Sequence, residues 1–558
     1  MKHFSALSAI AVAACMLSTS VLQAQTYGGA VLDHDIMMPS EIASLSQNQS
    51  FGTARSMAMG GAFTSLGGDI ASVGINPAGL GMFSQEVVSF TPMLSTAEAE
   101  TMSSPSWVGN NKTSFGFANM GATFNLAQRA KGSLISLTAA IAYNRLADYN
   151  TQMSYSSESL YNASNGNTVP SIIDIYGSQL AGASIYPDSD GSMSYDNDPR
   201  YWNAQEAYMT YMLDPTSGNS GWTTNTLGHN ASIMSSYEVE QSGRSDEYLF
   251  ALGGNIGNYL YFGATFSLQE ISQTTKYSYQ EEYGYFADGD GGYAYASADS
   301  TTPLDSQAEY TYIWQETSLS GSGTNLKLGL IARPTRSLRI GAAFHTPTYY
   351  TLARSYQTYT ESLIIDNSDD SSVRYSTESY VFIDNYEYSW KFRTPAKLLL
   401  GASYQVGNFG ILSLDYERQW YNWIRVSNAP GDLSSQDYKS EYQNYYKPTS
   451  TLRAGLEVKP IPTVALRVGG GTTSSMIKDE SLCYSSPTPT DSYYVTCGVG
   501  FQFSASTSLD LAYQFYRQNY TSYYLFYMED SDGNFTGSNL FDTSLSRNYI
   551  SATLTIRI

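Results

Sequence analysis

The chain has 558 residues, a formal net charge of -21 and 14% charged residues. It contains 48 tyrosines and 46 glycines, and an aromatic, Gly-rich composition with few charges is typical of proteins built from many pleated strands. The acidic balance argues against a nucleic-acid partner, because phosphate binding requires a basic surface. Most of the negative charge is expected on solvated loops.

Residues 1–24 have the pattern of a secretory signal peptide. A basic start precedes an apolar run over residues 4–17, and Ala24 offers a cleavage site before Gln25. The box Val12-Ala13-Ala14-Cys15 resembles a lipoprotein cleavage site, but it comes early in the apolar run. No later stretch reaches the roughly 18 consecutive apolar residues that would predict a membrane-spanning helix. The exported chain is then either a secreted β-protein or a barrel in an outer membrane.

Residues 25–84 form a second region, which follows neither the helix period nor the strand period. Its second half, Arg55 to Gly81, is Gly-rich and almost uncharged. Glycine allows positive φ and close backbone approach, and Asn76 before Pro77 favours a turn, either as a structural corner or as a hinge. We interpret this stretch as a compact hatch around which the strands close. The residues assigned to it are Gly60, Gly61, Gly67, Gly68, Asp69, Asn76, Pro77 and Ala78.

Residues 85–558 alternate between apolar and polar side chains, as in Leu326–Leu330, Leu509–Phe515 and Ile550–Ile558. Period-two alternation gives each strand one apolar and one polar face. The candidate strands cover approximately 86–95, 113–126, 133–150, 244–254, 259–280, 309–333, 337–360, 376–406, 410–427, 438–458, 463–477, 491–504, 508–527 and 544–558.

The connections between these strands decide between a sandwich and a membrane barrel. Short gaps alternate with long polar ones, and the longest is predicted near 151–243. Short periplasmic turns with long extracellular loops are typical of transmembrane barrels, whereas a sandwich gives no reason for such alternation. The sequence therefore predicts an all-β protein, a transmembrane antiparallel barrel of about fourteen strands with an N-terminal hatch in its lumen. The apolar faces of the strands should then contact lipid.

Three groups of residues carry a resemblance to a known family. They are the hatch glycines with Asp69 and Asn76-Pro77-Ala78, the stretch Ile340–Pro347, and Thr394-Pro395-Ala396-Lys397 leading into a strand. In this order, after a signal peptide, they resemble the FadL/TodX family of outer-membrane transporters for hydrophobic compounds. The loop near 151–243 is longer than in the family's best-known members.

The resemblance implies a location in the outer membrane of a Gram-negative bacterium. It also implies passive uptake of a hydrophobic molecule, commonly a long-chain fatty acid. Such a ligand would enter the lumen, displace part of the hatch and leave sideways through the wall.

Several basic residues fall on the inner face near the short turns, and we predict that they form a ring of charge in the lumen. Acidic residues share this face, so the ring is expected to consist of cross-strand ion pairs that also dock the hatch through Asp69. Alternatively, Arg339 or Arg453 would bind the carboxylate of a fatty ligand. The predicted ring contains Arg333, Arg339, Lys397, Arg453 and Arg467.

No catalytic, metal or cofactor site is predicted, because the sequence has no zinc spacing, no Cys nucleophile and no Ser-His-Asp set. Haem ligation by His34 or His229 remains an alternative without a paired motif. Cys483 and Cys497 could form a disulfide, although alternation places Cys497 on an apolar face. The leading prediction is a monomeric, non-enzymatic transporter whose partners are a hydrophobic ligand and membrane lipid. The alternatives are a haem-related or general channel or receptor, and a surface adhesin.

Overall fold

The computed structural model describes residues 38–103, 106–129, 133–161, 170–196, 201–224, 231–285, 306–366, 375–428, 434–479, 487–529 and 535–558. The predicted signal peptide, His34, His229 and Cys483 lie outside these residues. Cys497 is an exposed free thiol on the outer face of its strand. Within the described ranges, none of the helices has both the length and the apolar character that crossing a membrane requires.

The described residues form fourteen long antiparallel strands in one closed sheet, as the sequence predicts. The last strand pairs with the first from Val87↔Arg557 to Met102↔Asp542, which closes the barrel. The strands are β1 (Val87–Ser103), β2 (Ser106–Gln128), β3 (Leu134–Asp148, continued by Thr151–Tyr161), β4 (Ala231–Ile256), β5 (Leu260–Tyr285), β6 (Ser306–Ala332), β7 (Leu338–His345, continued by Tyr349–Asp366), β8 (Tyr375–Arg393, continued by Lys397–Val406), β9 (Gly410–Gln419), β10 (Thr449–Ile461), β11 (Val464–Thr473), β12 (Pro489–Gln502), β13 (Thr507–Tyr520) and β14 (Leu540–Arg557).

Short turns connect the strands at one end of the barrel, which we call the short-turn end. The turn between β4 and β5 uses Gly257 and Asn258 at φ 59° and 61°, a left-handed conformation that glycine and asparagine tolerate best. At the opposite, long-loop end, the longest connection joins Tyr161 to Ala231. The long strands β3 and β4 therefore extend well into the range 151–243 that the sequence assigns to a loop.

Each strand buries one face and exposes the other. Leu326, Leu328 and Leu330 on β6 are 49%, 52% and 54% exposed, whereas Lys327 between them is 3% exposed. The same alternation recurs along β14, where Ile550 and Leu554 point outward. The outer face of the barrel is consequently apolar and its inner face polar, as the sequence pattern predicts.

Residues 38–84, which we call the plug, pack against the inner faces of the strands. Residues 51–84 lie near the short-turn end, whereas residues 38–50 reach further along the lumen, where Ile42 and Leu45 pack with Tyr350 and Trp390. The plug contains the helices α1 (Pro39–Leu45), α2 (Ala54–Ala58) and α3 (Ser72–Ile75) and a 3-10 helix over Pro77–Met82. Most of its residues are buried. The plug therefore derives its order from the surrounding wall, since helices this short are marginal on their own.

The described residues of the longest connection, 170–196 and 201–224, form a second inserted unit, which we call the cap. It contains α4 (Ile172–Ala183), α5 (Trp202–Met209) and a short hairpin over Asp214–Pro215 and Trp222–Thr223. Its apolar residues form one cluster with inward-facing tyrosines and isoleucines of β3–β7. The cap is thus packed onto the wall rather than extended into solvent.

The structure corrects the predicted strand at 438–458 in its first half. Ser435–Tyr445 form helix α6, and the strand begins only at Thr449. Ser434 and Asp437 form a reciprocal capping box, which fixes the start of a helix. Tyr438 and Tyr442 lie four residues apart on one face and are 1% and 0% exposed. The predicted strand at 410–427 likewise ends at Gln419, followed by a 3-10 turn over Tyr421–Trp423 and a short strand at Arg425–Ser427.

Candidate functional site

Asn76 and Pro77 lie at the point where the plug meets β6 and β7. The Asn76 side chain is fully buried, and its Oδ1 accepts a hydrogen bond from the Ala78 amide at 3.1 Å, which starts the 3-10 helix. Its Nδ2 donates to the Thr64 carbonyl at 2.7 Å and, at longer range, to carbonyls of Leu330 and Ala342. Asn76 therefore shapes its turn and also anchors it to the wall.

The predicted hatch glycines all adopt a backbone conformation that favours glycine. Gly60, Gly61, Gly67 and Gly68 have φ values of 63°, 68°, 63° and 66°. At Gly60 the plug also touches the wall directly, because a Cβ added to Gly469 would lie 2.4 Å from the Gly60 nitrogen. Two turns of this kind let the plug fold back on itself inside a narrow lumen.

Asp69 holds the plug together rather than docking it to the wall. Thr53 Oγ1 donates to its carboxylate at 2.9 Å, and the Ala71 amide donates to the same oxygen at 3.0 Å. Burial raises the pKa of the Asp69 carboxyl, and the nearby Arg55 guanidinium opposes that rise. The expected docking role belongs to Arg55, whose Nε lies 3.1 Å from Glu457 Oε2 on β10.

Two members of the predicted ring of charge are paired across strands. Arg467 on β11 lies 2.7 Å from Glu457 and 2.6 Å from Asp510, and Arg453 on β10 lies 2.8 Å from Glu417. These pairs join β9, β10, β11 and β13 on the inner face. They leave Arg453 engaged with the wall, so it is not positioned as a free anion receptor.

The other members of the ring have different surroundings. Arg339 Nη1 donates to the Leu66 carbonyl of the plug at 2.6 Å. Lys397 begins the lower half of β8, in register with His345 on β7. Arg333 lies in the turn after β6, where it donates to the Arg336 carbonyl at 2.9 Å. The basic residues therefore stabilise the wall, the plug and a turn rather than converge on one ligand.

Further contacts were not predicted from the sequence, because their partners are far apart in the chain. Lys327 Nζ lies 2.6 Å from Glu247 and donates to the Gly74 carbonyl at 3.1 Å. His345 Nε2 lies 3.0 Å from the Ile75 carbonyl. Both contacts fix α3 of the plug against β4, β6 and β7. Alternation along their strands puts Lys327 and His345 on the polar face, but the sequence does not show which residues they contact.

A cavity of about 270 Å³ lies on the long-loop side of the plug, and we call it the upper cavity. Aromatic and aliphatic side chains make up about half of its lining, together with several glutamines and the carboxyl groups of Glu41 and Asp148. Arg547 on β14 also lines it and is 3% exposed. Among the described residues, its Nε and Nη1 have no hydrogen-bond partner, and the carboxylate of Asp148 lies 3.9 Å from Nη1. The apolar and aromatic lining residues include Leu45, Tyr149, Met153, Tyr237, Val239, Tyr277, Tyr516, Tyr520, Tyr523 and Leu545.

The cap is anchored to the wall by buried carboxylates. Glu206 on α5 accepts hydrogen bonds from Thr358 and Thr360 of β7 at 3.2 Å and 2.5 Å. Burial raises the pKa of Glu206 to about 8. The second carboxylate belongs to the wall: Glu281 of β5 accepts hydrogen bonds from the Ser171 hydroxyl and the Ile172 amide at the start of α4. The two helices of the cap are thus each tied to the wall through a buried acid.

Comparison with known proteins gives matches among solved structures alone. No protein-family model matches the sequence, and no curated protein is similar to it. The chain is similar to the Pseudomonas putida toluene transporter TodX, with 12% identity over 91% of this chain and 99% of that one and a TM-score of 0.46. A Pseudomonas aeruginosa FadL homologue matches with 11% identity over 91% and 98% and a TM-score of 0.49.

The Ralstonia pickettii toluene transporter TbuX is also similar, with 14% identity over 91% of this chain and 99% of that one and a TM-score of 0.44. FadL and TodX, the names of the family that the sequence resembles, both occur among the names of these solved structures. At this level of identity no ligand is transferred from these proteins, and the function has to be inferred from this chain's own contacts.

Proposed function

We propose that the protein takes up small hydrophobic molecules passively across the outer membrane of a Gram-negative bacterium. The observation that carries the proposal is the upper cavity, an aromatic and aliphatic space inside the wall above a tightly packed plug. Ligand sites are typically concave and mainly apolar, with a few polar groups that fix orientation.

The wall supports a location in a membrane. Its outer face carries exposed leucine, isoleucine, valine and phenylalanine side chains, and its closed ladder satisfies the backbone without water. Closure also leaves no free strand edge for a second copy, so we propose a monomer. The predicted signal peptide at residues 1–24 would direct export.

The plug would act as the hatch that separates the upper cavity from the short-turn end. Its left-handed glycines at 60, 61, 67 and 68 permit sharp turns, and Asn76 fixes the start of the 3-10 helix to the wall. In this proposal, Asp69 and Asn76 keep the hatch folded while a ligand passes. The many contacts between the plug and the wall argue against a wide, water-filled pore.

Arg547 makes an amphiphile with an acidic head the favoured ligand, and a long-chain fatty acid is such a molecule. A buried guanidinium with unused donors gains strongly from a carboxylate, because charge-assisted hydrogen bonds are the stronger kind. The tyrosines and aliphatic side chains of the upper cavity would cover the part of the ligand's hydrocarbon tail that is next to its head group. We assign to Arg547 the carboxylate role that the sequence offered to Arg339 or Arg453, because Arg339 and Arg453 make close contacts of 2.6 Å and 2.8 Å, whereas Asp148 lies 3.9 Å from Arg547.

Oleate and oleyl alcohol form a matched pair of probes, because they differ in the head group alone. In proteoliposomes containing the purified protein, we expect protein-dependent uptake of both, with no large steady KCl conductance in planar bilayers. Arg547→Gln should lower oleate uptake about tenfold, which corresponds to the loss of one charge-assisted contact, and should spare oleyl alcohol.

The control is Arg517→Gln, because Arg517 is a half-buried residue of β13 that pairs with Glu100. This variant should change neither the uptake of oleate nor the uptake of oleyl alcohol. Large steady KCl currents without uptake of either probe would contradict the transporter and favour a general channel. Equal losses of both probes in Arg547→Gln would remove the acidic head group from the proposal.

A further inference from the structure

Two cavities lie against the same sector of the wall, one on each side of the plug. The upper cavity is lined on this side by Tyr516 of β13, Leu545 of β14 and Ala99 of β1. A second cavity of about 160 Å³, which we call the lower cleft, is lined by residues nearer the short-turn end of the same strands. They are Ser508, Thr555 and Ser89, together with Arg55 and Asp69 of the plug.

A thin apolar layer, which we call the septum, separates the two cavities. The plug contributes Phe51, Ala54 and Met57, and the wall contributes Met93, Ala512 and Tyr549, all of them buried in one cluster. The rings of Phe51 and Tyr549 meet edge to face with centroids 5.0 Å apart. Nothing in this cluster is charged, so a hydrophobic molecule entering it would replace one apolar contact by another.

The inward side chains of β14 trace the route from one cavity to the other. Arg547 lines the upper cavity and Thr555 lines the lower cleft. Between them, Tyr549 packs on Phe51, Ser551 Oγ lies 3.5 Å from Met57 Sδ, and Thr553 Oγ1 accepts from the Ala54 amide at 2.6 Å. From Tyr549 to Thr553 a strand advances only about 13 Å.

The plug is attached differently to the rest of the wall. There its carbonyls accept from Thr265 on β5, Lys327 on β6, Arg339 on β7, Tyr494 and Thr496 on β12, while the Thr64 amide donates to Asp415 on β9. Arg55 adds the ion pair with Glu457. Separating these groups would leave buried polar and charged atoms unpaired, which is costly. Withdrawing Phe51 and Met57 would expose apolar surface that the ligand itself could cover.

We propose that ligand passes the plug along the inner face of β13, β14 and β1, as Phe51 and the side of α2 that bears Ala54 and Met57 move away from the septum. On its other side, α2 keeps the Arg55–Glu457 ion pair and the bond from Thr496 to the Ala58 carbonyl. The rest of the plug stays bound to β4–β12. That a hydrophobic ligand uses this route rests on the proposed transport function. The position of the route rests only on the two cavities and the septum between them. Passage by release of the whole plug is the alternative that the test has to separate.

Two cross-links between plug and wall distinguish these routes, in a background in which Cys483 and Cys497 are replaced by serine. Ala54→Cys with Thr553→Cys ties α2 to β14, where Thr553 Oγ1 and the Ala54 amide are already in contact. Val73→Cys with Thr265→Cys ties α3 to β5, where the Thr265 hydroxyl donates to the Val73 carbonyl at 2.9 Å. Mass spectrometry establishes that each disulfide has formed.

We expect the first cross-link to abolish oleyl alcohol uptake in proteoliposomes, with recovery on reduction by dithiothreitol. The second should leave uptake at the level of the serine background. Loss of uptake with both cross-links would indicate release of the whole plug and overturn the proposal. Undiminished uptake with the first cross-link would overturn it as well.

A second measurement tests the septum without any hydrophobic cargo. Phe51→Ala should raise the KCl conductance of single proteins in planar bilayers above that of the wild type. Phe63→Ala removes an equally buried ring elsewhere in the plug, where it packs with Met59 and Leu66, and should leave conductance unchanged. Equal conductance in the two variants would show that the septum is not the barrier between the two cavities and would overturn the proposal. Raised conductance in Phe51→Ala from a protein that takes up no oleyl alcohol would keep the route and reject hydrophobic transport.

Discussion

At the scale of single residues, the lumen is organised by shared carboxylates. Glu457 on β10 accepts from Arg55 of the plug and from Arg467 of β11, and it is 1% exposed. Burying one charge without a partner costs far more than an exposed pair gains. The carboxylate that holds the plug in place therefore also neutralises Arg467 within the wall.

Glu457→Gln should destabilise the protein by about 3–5 kcal/mol, because the buried Arg467 and the partly buried Arg55 lose a shared negative charge while shape is kept. The free energy of unfolding in urea, with refolding into lipid vesicles, measures this loss. The control is Glu240→Gln, which breaks the exposed pair with Lys112 and should cost less than about 1 kcal/mol. Equal costs in the two variants would show that Glu457 does not anchor the plug.

The sequence predicts the orientation of such residues better than their partners. Alternation along β7 and β10 already turned Arg339 and Arg453 inward, and it could not show that Arg339 binds the Leu66 carbonyl. Contacts of this kind join segments hundreds of positions apart, so no local pattern encodes them. The upper cavity was missed for the same reason, since Arg547 belongs to a strand that the sequence describes through its apolar face alone.

At the scale of elements, alternation predicts strands well and fails where a helix lines the lumen. In α6 the tyrosines at 438 and 442 are spaced for a helix, and Ser434 with Asp437 supplies a readable capping box. The dense tyrosines of this stretch nevertheless suggested a strand. Within the cap, α4 and α5 lie in the range 151–243 that the sequence assigns to a long loop. Their docking depends on β5 and β7, which are distant in the chain.

Docking of the cap should depend on pH through Glu206. Its pKa is raised to about 8 by burial, so the docked cap retains a proton that the undocked cap would release. Docking should consequently weaken as the pH rises from about 5 to about 8, because the undocked state binds fewer protons in this range. Hydrogen exchange of residues 201–224, followed by mass spectrometry, measures that change.

Glu206→Gln keeps the hydrogen bonds to Thr358 and Thr360 but cannot titrate. The protection of its cap, corrected for the intrinsic pH dependence of amide exchange, should therefore be the same at both pH values. Glu282→Gln, at an exposed position on β5, should retain the wild-type dependence. If Glu206→Gln responds to pH as the wild type does, another group controls the cap.

At the scale of the whole molecule, the wall is complete without the plug. Each of the fourteen strands has both neighbours, and β14 closes on β1 without help from residues 38–84. The inner charges are also paired on the wall itself, as Arg467 with Glu457 and Asp510, Lys327 with Glu247, and Arg453 with Glu417. A lumen emptied of the plug would fill with water, which solvates those pairs. The plug thus depends on the wall for its fold, whereas the wall does not depend on the plug.

A variant that lacks residues 38–84 should therefore still insert into vesicles as a folded barrel and become a water-filled pore. Its apparent mass on an unheated gel should differ from that of the heated sample, as for folded barrels. Its KCl conductance should be large and steady, because fourteen strands enclose a lumen wide enough for ions once it is empty. Phe51→Ala, which removes one ring from the septum, should give a conductance between those of the wild type and the deletion. A deletion variant that stays unfolded would show that the plug completes the wall, and a folded one without conductance would place the barrier in the cap.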